Sequence, residues 1–260
     1  MKSSQSLLSL ISSRDNFWKY RMERDPEEGG KRRLKLQGKE LLSVPLEIFD
    51  LEELQVLEMS PERESCLTYR MDLVPREIGQ LRNLSVLNLD TNELRSIPVE
   101  IGDLQNLERL TLSNNYLSAL PEEIGQLRKL TSLHLANNSF RELPVQICLL
   151  RKLVFLDVTD NKVKKIPERI EDLTQLETLL LFFNRLESLP ESFCNLRSLR
   201  TLWLGRNRLK ALPVNFGNLV NLEWGHNQCS SNFDENPLER PPTEICKGGP
   251  KEIELYFATG

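Results

Sequence analysis

The chain has 260 residues, 39% hydrophobic and 28% charged, so it can bury a core and remain solvated outside it. Its 34 basic and 38 acidic residues nearly cancel to a net charge of -4, which argues against a dedicated nucleic-acid surface. No stretch reaches the roughly 18 consecutive apolar residues of a membrane-crossing helix. The first apolar group is broken by Ser9 and followed by Arg14 and Asp15, unlike a leader peptide or an anchor.

In chain order, Leu7, Leu8, Leu10, Ile11, Phe17 and Trp18 come first, at roughly helical spacing. A polar break follows at Asp25, Pro26, Glu27, Glu28, Gly29 and Gly30. Residues 1–30 therefore read as an N-terminal capping helix and linker, with a partner-binding or membrane-surface helix as the other reading.

From about residue 31 to 246 a repeat dominates. Pro75, Pro98, Pro121, Pro144, Pro167, Pro190 and Pro213 recur every 23 residues, and the unit reads LxxLxLxxNxLxxLPxxIxxL. One full copy is Leu107, Leu110, Leu112, Asn115, Leu117, Leu120, Pro121, Ile124 and Leu127. The LxL step alternates and predicts a short strand with its leucines buried. Asparagines 92, 115, 138, 161, 184, 207 and 236 can both donate and accept, which suits them to backbone groups where successive turns stack. Proline then stops the strand and begins a return segment whose Ile and Leu close the core. One unit cannot bury its own leucines, so about nine units must stack into a solenoid with two exposed ends. At the far end Ile253, Leu255, Tyr256 and Phe257 follow Gly248 and Gly249, and residues 247–260 read as a C-terminal capping helix.

Two places depart from the period. Pro75 follows Pro45 by 30 residues and Pro242 follows Pro213 by 29, which suggests insertions at 60–68 and 228–235, each just after a strand. Lys39 and Tyr69 occupy the asparagine slots of the first two units. Five cysteines show neither a disulfide cluster nor metal-type spacing with His134 or His226, so no metal and no cofactor is expected. Free thiols suit the cytosol, with the nucleus as an additional compartment. Cys148, Cys194 and Cys246 each stand four residues after a repeat proline and read as small core residues on the convex side.

With seven asparagines and nine prolines in register from roughly Leu34 to Cys246, the chain resembles the intracellular leucine-rich repeat family, in particular its 23-residue Leu-Pro class of Ras-associated scaffold proteins. The resemblance implies an α/β leucine-rich repeat solenoid: a curved right-handed coil with a parallel β-sheet on the concave face and short helical or irregular segments on the convex face. It also implies a protein partner such as a small GTPase, a phosphatase, a cytoskeletal protein or a ubiquitin-ligase component, and no catalytic activity.

If the strand leucines point inward, the residues between them line the concave sheet, and positions 23 apart become neighbours about 5 Å from one another. The N-terminal columns are then small and polar, whereas the C-terminal ones gather Phe155, Leu180, Phe182, Phe183 and Trp203 beside Asp157, Asp160, Arg206 and Arg208. Trp, Phe and Arg are what binding hot spots use. Phe155, Asp157, Leu180, Phe182, Phe183, Trp203 and Arg206 are therefore the candidate partner-binding residues. An intracellular scaffold or adaptor, as a monomer or part of a hetero-complex, is the leading reading, and a substrate-recognition subunit of a ubiquitin ligase is the alternative. Ser132, His134 and Asp157 have the residue types of a hydrolytic triad, but an open sheet offers no water-excluding pocket or oxyanion hole.

Overall fold

The computed structural model describes residues 22–36, 44–60, 70–224 and 231–259. Within them a single sheet runs in chain order through β1 (Glu23–Arg24), β2 (Arg32–Lys35), β3 (Val56–Glu58), β4 (Val86–Asn88), β5 (Arg109–Thr111), β6 (Ser132–His134), β7 (Phe155–Asp157), β8 (Thr178–Leu180) and β9 (Thr201–Trp203). Every pair from β2 to β9 is parallel, and its register places Leu57, Leu87, Leu110, Leu133, Leu156, Leu179 and Leu202 in one row. Parallel neighbours require a crossover. Each is made by a return segment that opens on proline and coils into one 3-10 turn, as at Val99–Asp103 after Pro98 and Glu122–Gln126 after Pro121. Proline presets the φ of the entering residue near the observed -67° and -65° and gives up an N–H that the turn does not need.

The core lies between these two layers. Leu110, Leu112, Leu117, Ile124, Leu127 and Leu130 are all fully buried, and their described equivalents along the coil are buried too. Burial on this scale supplies about 1.5–3 kcal/mol per side chain. Four positions after the proline, successive 3-10 turns come close: a Cβ on Gly102 would lie 2.8 Å from the Glu123 Cβ. Cys148, Cys194 and Cys246 hold the same position and are buried, and burial pushes their thiols up to about 11, 12 and 11.

The asparagines form the ladder. Asn115 accepts the Leu94 N–H on Oδ1 at 3.0 Å, and its Nδ2 donates to the carbonyls of Leu89 and Leu112, also at 3.0 Å. One buried amide thereby joins two turns. Asn138, Asn161, Asn184 and Asn207 repeat the pattern. The residue before each is left-handed, with φ between 51° and 61° from Thr91 to Arg206. Non-glycine residues enter that region at a cost of roughly 1–2 kcal/mol. A rung to the next turn offsets it, as where the Asp160 N–H meets the Phe182 carbonyl at 2.9 Å.

Two expectations are corrected at the ends. Asn232 bridges Trp203 in parallel, the Leu204 N–H reaches the Asn232 carbonyl, and Phe233 is buried in the core. Residues 231–235 thus keep the ladder register, so the extra residues of that unit precede the strand position rather than follow it. At the other end, the polar break read as a linker is the turn of an antiparallel hairpin between β1 and β2. The expected helix over the first residues lies outside the described residues, as do Lys39, Tyr69 and the insertion at 61–68. At the C-terminus, a short helix α1 (Thr243–Cys246) leads into α2 (Pro250–Thr259), which buries Ile253 and packs against the 3-10 turn Val214–Asn218.

Candidate interaction surface

Strand pairing sets the concave columns. Glu58, Asn88, Thr111, His134, Asp157, Leu180 and Trp203 follow one another as direct neighbours, with Val56, Val86, Arg109, Ser132, Phe155, Thr178 and Thr201 alongside. The first column and, from Arg109 onward, the second are at least partly exposed and can face a partner, whereas Val56 and Val86 are buried.

Towards the C-terminal end the surface is aromatic. Phe182 and Phe183 meet edge to face with ring centres 4.5 Å apart, and Phe182 approaches Trp203 at 6.4 Å. The Arg206 guanidinium lies 4.4 Å from the Phe183 ring centre and 5.8 Å from that of Phe182, while its Nε donates to Glu235 at 2.7 Å. A cation held over two rings adds attraction that a neutral residue lacks. Gly205 makes room for this group: a Cβ there would stand 2.7 Å from the Phe182 ring. Phe183 sits at φ 54° and is 41% exposed, so a large ring is presented to solvent from a backbone position that Asn or Asp would fill more cheaply.

The predicted site residues therefore fall into two groups. Phe155 stands apart from the phenylalanine pair and stacks instead on His134, with ring centres 4.7 Å apart. Leu180 connects the groups, since it neighbours both Asp157 and Trp203. Sequence reasoning missed Gly205, Glu235 and the stacking role of His134. Glu235 was findable, because it occupies the Arg206 position of the following turn once the register is set from Asn236.

The N-terminal half is polar and internally engaged. Arg33 on β2 donates to Glu58 at 2.8 Å, and Asp90 accepts the Ser113 N–H at 2.6 Å. Burial pushes the Asp90 carboxyl above its usual range, partly countered by that bond and by Thr111. The β1–β2 turn leans across the strand starts: Glu28 pairs with Arg109, and Lys31 with Glu108 at 3.2 Å.

Ser132 Oγ lies 2.9 Å from His134 Nε2, but no hydrogen bond joins His134 to Asp157 among the described residues, and Asp157 accepts the Thr159 N–H instead. Burial holds the imidazole below its ordinary pKa, although the Asp157 charge pulls the other way. The three groups do not assemble a relay. No cluster of three metal-ligating side chains occurs among the described residues.

A family profile described as a leucine-rich repeat region matches residues 107–183, and one described as leucine-rich repeats in two copies matches residues 174–217. The chain is built of leucine-rich repeats. Among solved structures, these repeats are similar to a leucine-rich repeat protein of Leptospira interrogans, at 35% identity and a TM-score of 0.65 over 77% of this chain. The plant peptide hormone receptor RGFR1 in complex with RGF2 matches at 27% identity and a TM-score of 0.60 over 79% of the chain. The leucine-rich repeat ectodomain of an Arabidopsis thaliana membrane receptor kinase, in complex with CASPARIAN STRIP INTEGRITY FACTOR 2, matches at 28% identity and a TM-score of 0.56 over 79%. This chain spans 55%, 35% and 26% of those three structures, respectively. No curated protein matches the sequence significantly. Leucine-rich repeats of this kind serve as protein-interaction modules. Among the described residues no helix is long and apolar enough to cross a membrane.

Proposed function

We propose that this leucine-rich repeat chain is a non-enzymatic scaffold or adaptor that takes a protein partner on the C-terminal half of its concave face. Phe155, Asp157, Leu180, Phe182, Phe183, Trp203 and Arg206 form the contact surface. The observation that carries the reading is the Phe182–Phe183–Arg206 group: aromatic rings and a cation, locked by one another, displayed on a sheet whose core needs none of them. Such a group is pre-ordered, so a partner loses little side-chain entropy in engaging it. Two of the similar receptor structures hold a ligand, which agrees with a binding role for the repeats. Three buried free thiols accord with a reducing compartment, and we place the protein in the cytosol.

The test is affinity capture with the Phe182→Ala/Trp203→Ala variant, with circular dichroism to check the fold. Partners captured by the unaltered chain should be lost, with affinity down about 100-fold for two hot-spot residues. Undiminished capture by a folded variant would reject the concave site.

A further inference from the structure

The near-balanced composition hides a segregation of charge. Immediately after the ladder asparagines of three consecutive turns stand Lys162, Arg185 and Arg208, all exposed. Their backbones are stacked: the Arg185 N–H donates to the Val163 carbonyl and the Arg208 N–H to that of Leu186, each at 2.9 Å. The three cations therefore run as a column along the rim, about 5 Å between neighbours. Lys164, Lys165 and Lys210 lie just beyond, also exposed. Lys162 donates to Ser139 at 3.3 Å, but neither Arg185 nor Arg208 has an ion pair among the described residues. Two acids flank these lysines, Glu187, whose N–H bonds the Lys164 carbonyl, and Glu239, whose N–H bonds the Lys210 carbonyl, and neither forms an ion pair among the described residues. Three cations held side by side without counter-charge repel one another, and an anion laid along them relieves this.

Two features define the anion. First, the stripe continues the concave aromatic group over the rim. Phe183 and Arg206 directly precede Asn184 and Asn207, while Arg185 and Arg208 directly follow them. A chain seated on the rings would reach the stripe without a break. Second, the stripe is short. The same column holds Glu93, Tyr116 and Ser139 on one side and Pro237 on the other, with Asp234, Glu235 and Glu239 close by in sequence. A long polyanion would run from the stripe onto acidic surface. A few carboxylates on an extended segment match its length, and arginine's planar fork suits carboxylate oxygens.

We infer that the rim stripe Lys162–Arg185–Arg208 binds an acidic, extended segment of the same protein partner whose apolar residues occupy the concave aromatic group. The inference rests on the proposed concave site and adds the chemistry of what continues from it.

The test uses the full chain and a fluorescein-labelled hexaglutamate peptide, followed by fluorescence anisotropy at low ionic strength. Hexaglutamate should bind, binding should weaken as salt is added, and Arg185→Glu/Arg208→Glu should weaken it by about tenfold or more. Arg128→Glu/Arg151→Glu, on exposed positions outside the stripe, should leave it unchanged. The two claims fail separately: hexaglutamate has no apolar residue, so its binding reports the stripe alone, while the Phe182→Ala/Trp203→Ala capture experiment reports the concave group. No hexaglutamate binding, equal binding by the Arg185→Glu/Arg208→Glu variant, or tighter binding of a six-nucleotide single-stranded DNA would each overturn the inference.

Discussion

The two halves of the concave sheet stand on the same framework and use it in opposite ways. From β2 to β5 the exposed side chains are small or charged and satisfy one another, with Arg33 on Glu58, Thr111 on Asn88 and the hairpin's Glu28 on Arg109. From β7 to the turn after β9 they are large rings packed edge to face, with a cation over them and an acidic residue of the following turn holding that cation. A surface whose charges are already paired gains little from a partner, because new contacts must first break old ones. A pre-ordered aromatic surface still exposing a ring gains by covering it. The comparison teaches that in a repeat fold, function is read from what the period leaves unconstrained.

The comparison can be broken first at its shared framework. Asn115→Ala in the polar half and Asn184→Ala in the aromatic half each orphan one buried backbone N–H and remove one of the two amide donors from each of two carbonyls, and each should cost about 1–3 kcal/mol by urea unfolding. A clearly smaller loss in one half would show that the ladder is not uniform. Smaller and local is Gly205→Ala. Its new Cβ falls 2.7 Å from both Phe182 and Asn232, which should cost about 1–3 kcal/mol. It should also shift Trp203 emission, since Phe182 must move. Ala136→Ser, at the same column position two residues after β6, should stay within about 0.5 kcal/mol. Equal effects of the two would mean that the ring does not depend on the glycine. Least costly is Glu28→Ala. Its partner Arg109 has a side chain 48% exposed, so the stability change should be under about 1 kcal/mol, with faster hydrogen exchange in the 25–31 turn as the sensitive readout. Unchanged exchange there would show that the hairpin does not need the pair.

Much of this was legible in the sequence because a 23-residue period is self-checking. Asn115 and Asn138 predict each other, and once the strand is placed, Leu180 must neighbour Trp203. The reading failed where the period did. With 29 residues between Pro213 and Pro242, the extra residues could be placed before or after the strand, and only the Asn232 bridge to Trp203 decides. That error hid Glu235 as the carboxylate for Arg206. The hairpin at 23–35 occurs once, so no repeat could announce it, and its contact from Glu28 to Arg109 spans 81 residues. The aromatic residues were found, but not their grouping: Phe155 turns to His134 because that ring lies beside it on β6.

The sequence by itself determined the solenoid, the rows of buried leucines, the asparagine ladder and the columns of the concave face, because each follows from a local pattern repeated at constant spacing. Only the tertiary structure decided which side chains are already spoken for. Whether Arg109 and Arg206 are engaged or free, and whether Phe182 has room to lie flat, depends on distances between residues in different turns and at the ends. Periodicity carries information about like positions; it carries none about unlike ones brought together by curvature and by a hairpin folding back.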